Sequence, residues 1–237
     1  MQSSTLDFSI IIPVYKEFRL LPRLIEYLTS CSWNGSSYEI IVVEASSTQT
    51  ENDRSISDHI HFLFSDIPSR AHQQNIGAEF SKGKVLFFLH ADVLPPTNFP
   101  GLVLNAIDTG AESGCFRSRF DSNLWLLRIN EFFTRYYFLW CRGGDQTLFI
   151  NRDLFFKYGK FDEAYIIMEE YPLIKRLIAE KKFMILKESV LISARKYIVN
   201  SYLKVQLANF IAFRMFQNRI SSDKIQALYH KMLGNAR

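Results

Sequence analysis

Cysteine is scarce: Cys31, Cys115 and Cys141 are the three in 237 residues, and none forms a CxxC pair. An odd count without paired spacing excludes a disulfide scaffold and reads as reduced thiols. No charge-free apolar run approaches the roughly 20 residues of a membrane span. The longest candidate, residues 85–89, is cut by His90 and Asp92. Residues 1–7 lack the basic region that opens a secretory signal. A cytoplasmic location is therefore expected, with peripheral contact at the inner membrane face left open. Charge of one sign is also lacking. Lys+Arg 28 against Asp+Glu 24 leaves +4, without the basic clustering of a nucleic-acid binder. Low-complexity and collagen-like compositions are absent.

What is present is a globular composition with an aromatic excess. Hydrophobic residues make up 48%, charged residues 22% and aromatic residues 15%. A chain of this length buries enough surface to fold without a metal or a disulfide. The aromatics fit a large core, a greasy site or membrane contact, and composition does not separate the three.

The first half alternates apolar, β-branched runs with helical patterns. Strands are expected at residues 8–14, 38–43, 59–63 and 85–89. Helices are expected from Leu20 to Leu28 and from Ser69, a plausible N-cap, to Phe80. Residues 46–57 read as a loop. This alternation predicts an α/β fold with a mostly parallel sheet and right-handed crossovers. Ligands of such sheets sit at the carboxyl ends of strands. The second half is less regular. It reads as a strand at 115–120, an amphipathic helix at 122–142, a short strand at 147–150 and a helical turn at 153–158. A helix at 170–181, a late strand at 190–192 and helices at 201–219 and 222–233 follow. One domain over residues 1–199 with a helical extension, 200–237, packed on it is the simplest organisation.

Three segments carry chemistry. Asp92 follows the fourth strand, where a carboxylate can hold Mg²⁺ or Mn²⁺ against phosphates; as a plain loop residue it would cap the turn before Pro95. Arg70, His72, Gln73 and Asn75 open a helix whose N–H groups and dipole suit an anion; a solvated first turn is the bland alternative. Glu169 and Glu170 sit at the start of another helix. They either complement its dipole or supply a general base.

In this order and spacing these segments resemble glycosyltransferase family 2, whose fold is GT-A, a nucleotide-diphospho-sugar-binding α/β sandwich. The opening Ser9-Ile10-Ile11-Ile12-Pro13-Val14-Tyr15-Lys16-Glu17 resembles the family's start. Arg70-Ala71-His72-Gln73-Gln74-Asn75-Ile76-Gly77-Ala78 and the run from Gly83 to His90-Ala91-Asp92 resemble its helix–strand–DXD passage. Gly144-Asp145-Gln146-Thr147, Gly159-Lys160-Phe161-Asp162-Glu163 and Met168-Glu169-Glu170 resemble its acceptor-side half. The similarity is nearest a short, single-domain bacterial branch with a "FLHAD…GDQ…MED" pattern.

The resemblance implies an inverting, metal-dependent glycosyltransferase, hexosyltransferase-like, using Mg²⁺ or Mn²⁺. The donor would be a nucleotide-diphospho-sugar and the acceptor a saccharide or lipid-linked molecule. Pro13, Tyr15, Glu17, Glu44, Arg70 and Asn75 would bind the nucleotide. Asp92, with His90 where a family aspartate often lies, would hold the metal. Glu170 would be catalytic beside Glu169, and Asp145, Gln146 and Arg195 would face the acceptor. The changed run after Glu44 keeps a second reading open: a degenerate nucleotide-sugar-binding module without transferase activity. A nucleotidyltransferase would carry a glycine-rich loop after its first strand, and residues 13–17 hold no glycine.

In residues 122–142 the side chains of Trp125, Ile129, Phe132, Phe133, Tyr136, Leu139 and Trp140 share one helical face. Arg128, Arg135 and Arg142 recur along its flank. Burial accounts for Leu127 and Phe138, which spoil a polar face. Contact with an anionic lipid surface is the alternative.

Overall fold

The computed structural model describes residues 6–15, 19–45 and 54–234, with backbone alone for 54–57. Glu17 and the run after Ala45 up to residue 53 lie outside them. Strand β1 (Leu6–Val14) leads through α1 (Leu21–Thr29) to β2 (Tyr38–Ala45), then β3 (Arg54–Ser57) and β4 (Ile60–Ser65). Helix α2 (Arg70–Phe80) crosses back to β5 (Gly83–Phe88) and the two-residue β6 (Val93–Leu94). Next come α3 (Phe99–Asp108), β7 (Ser113–Phe120), α4 (Leu127–Phe133), β8 (Phe149–Asn151) and α5 (Arg152–Lys157). The chain ends with α6 (Tyr171–Ala179), β9 (Phe183–Ile192), α7 (Arg195–Val199), α8 (Tyr202–Gln217) and α9 (Ser222–Leu233).

The strands form one mixed sheet of order β3-β4-β2-β1-β5-β8-β7-β9-β6. The ladders of β4, β2, β1 and β5 are parallel, as is that of β7 with β9. Strand β8 runs antiparallel between β5 and β7. The apolar runs of β1, β2 and β5 are continuous because both faces are covered. Ile10, Ile12 and Phe87 enter one core with α1 and α3. Ile11, Ile41 and Phe88 enter the other with α2, α5 and α6.

The chain leaves β1 toward β2 on one side and returns through α2 to β5 on the other. Such a reversal opens a crevice at the carboxyl ends of β1 and β5. Three residues adapt the chain to it. The β1–β5 ladder ends at Ile11, so the missing N–H of Pro13 removes no bond from it. Gln73 donates from Nε2 to the carbonyls of Val14 (2.9 Å) and Val43 (2.7 Å), joining the open ends of β1 and β2. Gly77 lets α2 lie directly on the sheet: a Cβ there would sit 2.5 Å from Ile11 Cγ2 and 3.2 Å from Val43 Cγ2.

Several expectations need correcting. Residues 54–57 of the expected loop pair with β4 as an edge strand. Helix α3, with Pro100 in its first turn, was not anticipated. The late strand is ten residues long rather than three. The long helix at 122–142 does not form: α4 stops at Phe133. The cause is Arg142, which is buried instead of flanking an exposed stripe. Its Nη2 donates to the carbonyls of Thr134 and Tyr136, and Nη1 reaches Cys115 Sγ at 3.1 Å. A continuing helix would have claimed those carbonyls for its own N–H groups. The aromatic face is correspondingly exposed, not buried. Among the described residues no helix is long and apolar enough to cross a membrane.

The α8–α9 hairpin packs through Val205, Ala208 and Leu233. It meets the sheet domain where Phe213 and Phe216 contact the Tyr171 ring. Ser222 Oγ there accepts from the N–H groups of Ile166 and Ile167.

Gly77→Ala should be overpacked against Ile11, costing about 1–3 kcal/mol. At about 2–4 °C per kcal/mol, thermal unfolding should shift down by several degrees; an unchanged Tm would contradict the close approach of α2.

Candidate active site

Five chain segments meet at the crevice. Arg70 is the first residue of α2. His90 and Asp92 follow β5, and Asp145 stands in a 3₁₀ turn at Gly144–Gln146. Glu169 and Glu170 precede α6 and are 2% and 8% exposed, while Arg195 opens α7.

Arg70 Nη1 stands 4.0 Å from Glu169 Oε1. Burial works against the Arg70 charge, but Glu169, Asp145, Glu170 and Asp92 outweigh it and raise its pKa. His90 Nδ1 bonds Asp145 Oδ1 at 3.1 Å. Burial opposes a charged imidazole, yet the bond to Asp145 and the charges of Asp145 and Asp92 raise the His90 pKa. For Asp145 burial would raise the pKa, but His90, Lys196 and Arg70 hold it well below the usual carboxylate range. Burial, then the neighbouring Glu169 charge, push Glu170 up to about 7. Arg195 Nη2 lies 3.2 Å from Asp92 Oδ2. Carboxylates and cations thus alternate, which is what lets so many charges share a cleft.

The backbone is unusual on both sides of the carboxylates. Met168 (φ 62°) precedes Glu169–Glu170, and Thr147 (φ 56°) follows the Asp145 turn. Side-chain-bearing residues rarely adopt such angles, and they concentrate where geometry is imposed by the surroundings. Gly144 is required by close approach. A Cβ there would lie 2.6 Å from His90 Nε2 and 3.6 Å from Glu170 Oε1.

Pro13 and Tyr15 lie at the carboxyl end of β1 and Glu44 near that of β2. Burial raises the Glu44 carboxyl pKa. The Ser69 backbone takes the N-cap position, but its hydroxyl accepts no bond from the first turn, which keeps those N–H groups clear of a side-chain cap.

Two expected site residues are placed elsewhere. Asn75 spends its amide on Phe161 O and Glu163 Oε1, and lines a separate groove with Lys160 and Arg176. Gln146 is buried and bonds Ser118 Oγ and Cys115 Sγ. Arg195, expected on the acceptor side, pairs with Asp92. Gln73, expected at an anion-binding helix start, instead clasps the ends of β1 and β2; Gly144 was read only as part of a motif, and Lys196 was missed. Lys196 is a cation whose field Asp145 feels, and its one signal was its place beside Arg195.

The metal expectation is tested by the donors present. Among the described residues no three His, Cys, Asp or Glu side chains converge as a metal cage. His90 offers no open nitrogen: Nδ1 is on Asp145, and buried Nε2 faces Gly144. Asp92 remains. One carboxylate completed by phosphate oxygens is an ordinary arrangement for Mg²⁺ or Mn²⁺, so the donors fit a substrate-completed site.

The profile of glycosyl transferase family 2 matches residues 9–162. The chain belongs to glycosyl transferase family 2. A 100-residue stretch is 34% identical to glycosyltransferase AglE of Haloferax volcanii, spanning 39% of this chain and 33% of that protein. Among solved structures, residues 1–349 of S. aureus TarS with UDP-GlcNAc superpose with a TM-score of 0.60. That match has 13% identity and covers 96% of this chain and 72% of the other. The mannosyltransferase PcManGT of Pyrobaculum calidifontis, in complex with GDP-Man and Mn²⁺, gives 0.61 at 13% identity, over 96% and 69%. The fold is GT-A.

Asp145→Asn removes the negative charge that favours imidazolium and leaves only a weaker, neutral acceptor for the His90 Nδ1–H. The His90 pKa, read by NMR titration of its ring protons, should fall; an unchanged value would show that Asp145 does not hold the proton.

Proposed function

We propose that the chain is an inverting, metal-dependent glycosyltransferase of hexosyltransferase type, acting on a nucleotide-diphospho-sugar and a saccharide or lipid-linked acceptor. The observation that carries this reading is the buried Glu169–Glu170 pair facing Arg70 and His90 at the carboxyl ends of β1 and β5. The donors present in the TarS and PcManGT structures support the nucleotide-sugar part of it.

The acceptor hydroxyl oxygen attacks the anomeric carbon on the face opposite the diphosphate. A carbon–oxygen bond forms as the bond from that carbon to the phosphate oxygen breaks, and the nucleoside diphosphate leaves with the electron pair. The hydroxyl proton passes to a Glu170 carboxylate oxygen. A base with a pKa of about 7 matches that task near neutral pH. Arg70 and the uncapped first turn of α2 face the diphosphate and offset its growing charge. Arg195 adds a second cation there. Asp92 would hold a divalent ion together with diphosphate oxygens, and such an ion supplies further charge neutralisation. Pro13, Tyr15 and Glu44 bound the nucleoside pocket; Glu17, of the same motif, lies outside the described residues. Asp145 fixes His90 beside Glu170, while Gln146 and Asn75 hold the surrounding frame.

Glu170→Gln should lower turnover by about 10²–10⁴ while retaining nucleotide binding. Binding is read as a thermal shift with UDP, GDP and their sugars, with and without Mn²⁺. Asp92→Ala should lose transfer together with the Mn²⁺-dependent part of that shift. Full turnover by Glu170→Gln would sink the base assignment. A nucleotide shift without any transfer would favour the binding-module reading.

A further inference from the structure

Helix α8 is apolar on two opposite sides. Val205, Ala208 and Ala212 are buried on the side toward α9. Leu203, Leu207 and Phe210 form the opposite stripe and are 75%, 53% and 62% exposed. Arg214 ends that stripe, one further turn along. Beside it α7 exposes Ile198 and Val199, and the α4 region exposes Trp125, Phe132 and Trp140. These faces adjoin. Asn130 of α4 donates from Nδ2 to the Tyr197 hydroxyl of α7 at 3.3 Å and accepts from the Tyr202 hydroxyl of α8 at 3.0 Å. Monomeric proteins rarely leave so extended an apolar surface uncovered.

Cations outnumber acids around it; Asp121, at its edge, accepts from the Ala194 N–H, and Arg195 and Lys196 turn toward the cleft. No Asp or Glu occurs between Glu188 and Asp223, a stretch that holds Arg195, Lys196, Lys204, Arg214 and Arg219. In residues 122–144 the one acid is Glu131, and its carboxylate accepts from the Phe120 N–H. Arg128 and Arg135 are exposed there, with the Arg135 guanidinium 4.2 Å from the Phe132 ring centroid. A second copy meeting this face about a twofold axis would bring cation against cation. An anionic headgroup layer satisfies the cations, and the acyl boundary takes the Leu, Phe and Trp side chains.

We infer that the joined faces of α4, α7 and α8 are a docking surface for an anionic lipid bilayer. The inner side of α7 carries Arg195 and Lys196 of the cleft, and Arg142 leads directly into the Gly144–Gln146 turn. Docking therefore sets the cleft beside the headgroups; its use for a lipid-linked acceptor rests on the transferase reading, whereas the docking itself does not.

The test is flotation of the full chain with phosphatidylcholine vesicles, with and without phosphatidylglycerol, and it requires no activity. Binding should need phosphatidylglycerol and weaken with added salt. Lys204→Gln and Arg214→Gln should each weaken it by about fivefold. Leu203→Ser/Phe210→Ser should lose it, with the thermal midpoint unchanged because both side chains are exposed. Absence of binding, equal binding to both vesicles, or a stable dimer in solution that Leu203→Ser/Phe210→Ser dissolves would each overturn the proposal.

Discussion

Four carboxylates share one cleft in this molecule: Asp92, Asp145, Glu169 and Glu170. They can do so because Arg70, His90, Arg195 and Lys196 are placed among them. Without those cations, burial would neutralise the acids or open the cleft to water. The balance is uneven, and the unevenness assigns roles. Asp145 sits against His90 and stays ionised well below its usual range. Glu170 is deeper, lies beside another carboxylate and is held toward its neutral form. Two chemically similar groups are thereby separated into one held ionised and one held toward its neutral form, the separation on which the proposed base role of Glu170 rests.

The sheet makes this balance possible by bringing distant parts of the chain to one edge. Reversal of strand order at β1 opens the crevice. Gly77 lets α2 approach closely enough to present Arg70 beside it, and Gln73 fastens the two strand ends beneath. The acid-bearing turns come from the second half of the chain, where strained backbone at Thr147 and Met168 aims them inward. The same half supplies Arg142, whose buried guanidinium ends α4 and exposes the aromatic face at the rim.

Much of the first half was legible because its signals are local. Short apolar runs gave β1, β2 and β5, and the resemblance singled out Arg70, Asp92 and Glu170, whose charges reach one another in the cleft. What was not legible depended on distant partners. Helical periodicity extended α4 to residue 142, since nothing local shows that Arg142 turns inward to take two carbonyls. Asn75 and Gln146 lie within recognisable motifs, but their amides are consumed by Phe161, Glu163, Ser118 and Cys115. Arg195 matched an acceptor-side motif, yet α7 brings it to Asp92. Helix α3 was overlooked although Phe99, Val103 and Ala106 form one buried face of it with Pro100 in its first turn.

The central claim is that burial and Glu169 together keep Glu170 poised as a base. Carbon-13 NMR titration of labelled glutamate carboxyls, with Glu170→Gln to assign the signal, tests it without any substrate. One carboxyl should titrate near a pH of about 7, and Glu169→Gln should move it to lower pH by removing the adjacent negative charge. A Glu170 carboxyl that titrates in the ordinary range, or does not move when Glu169 is neutralised, would contradict the account.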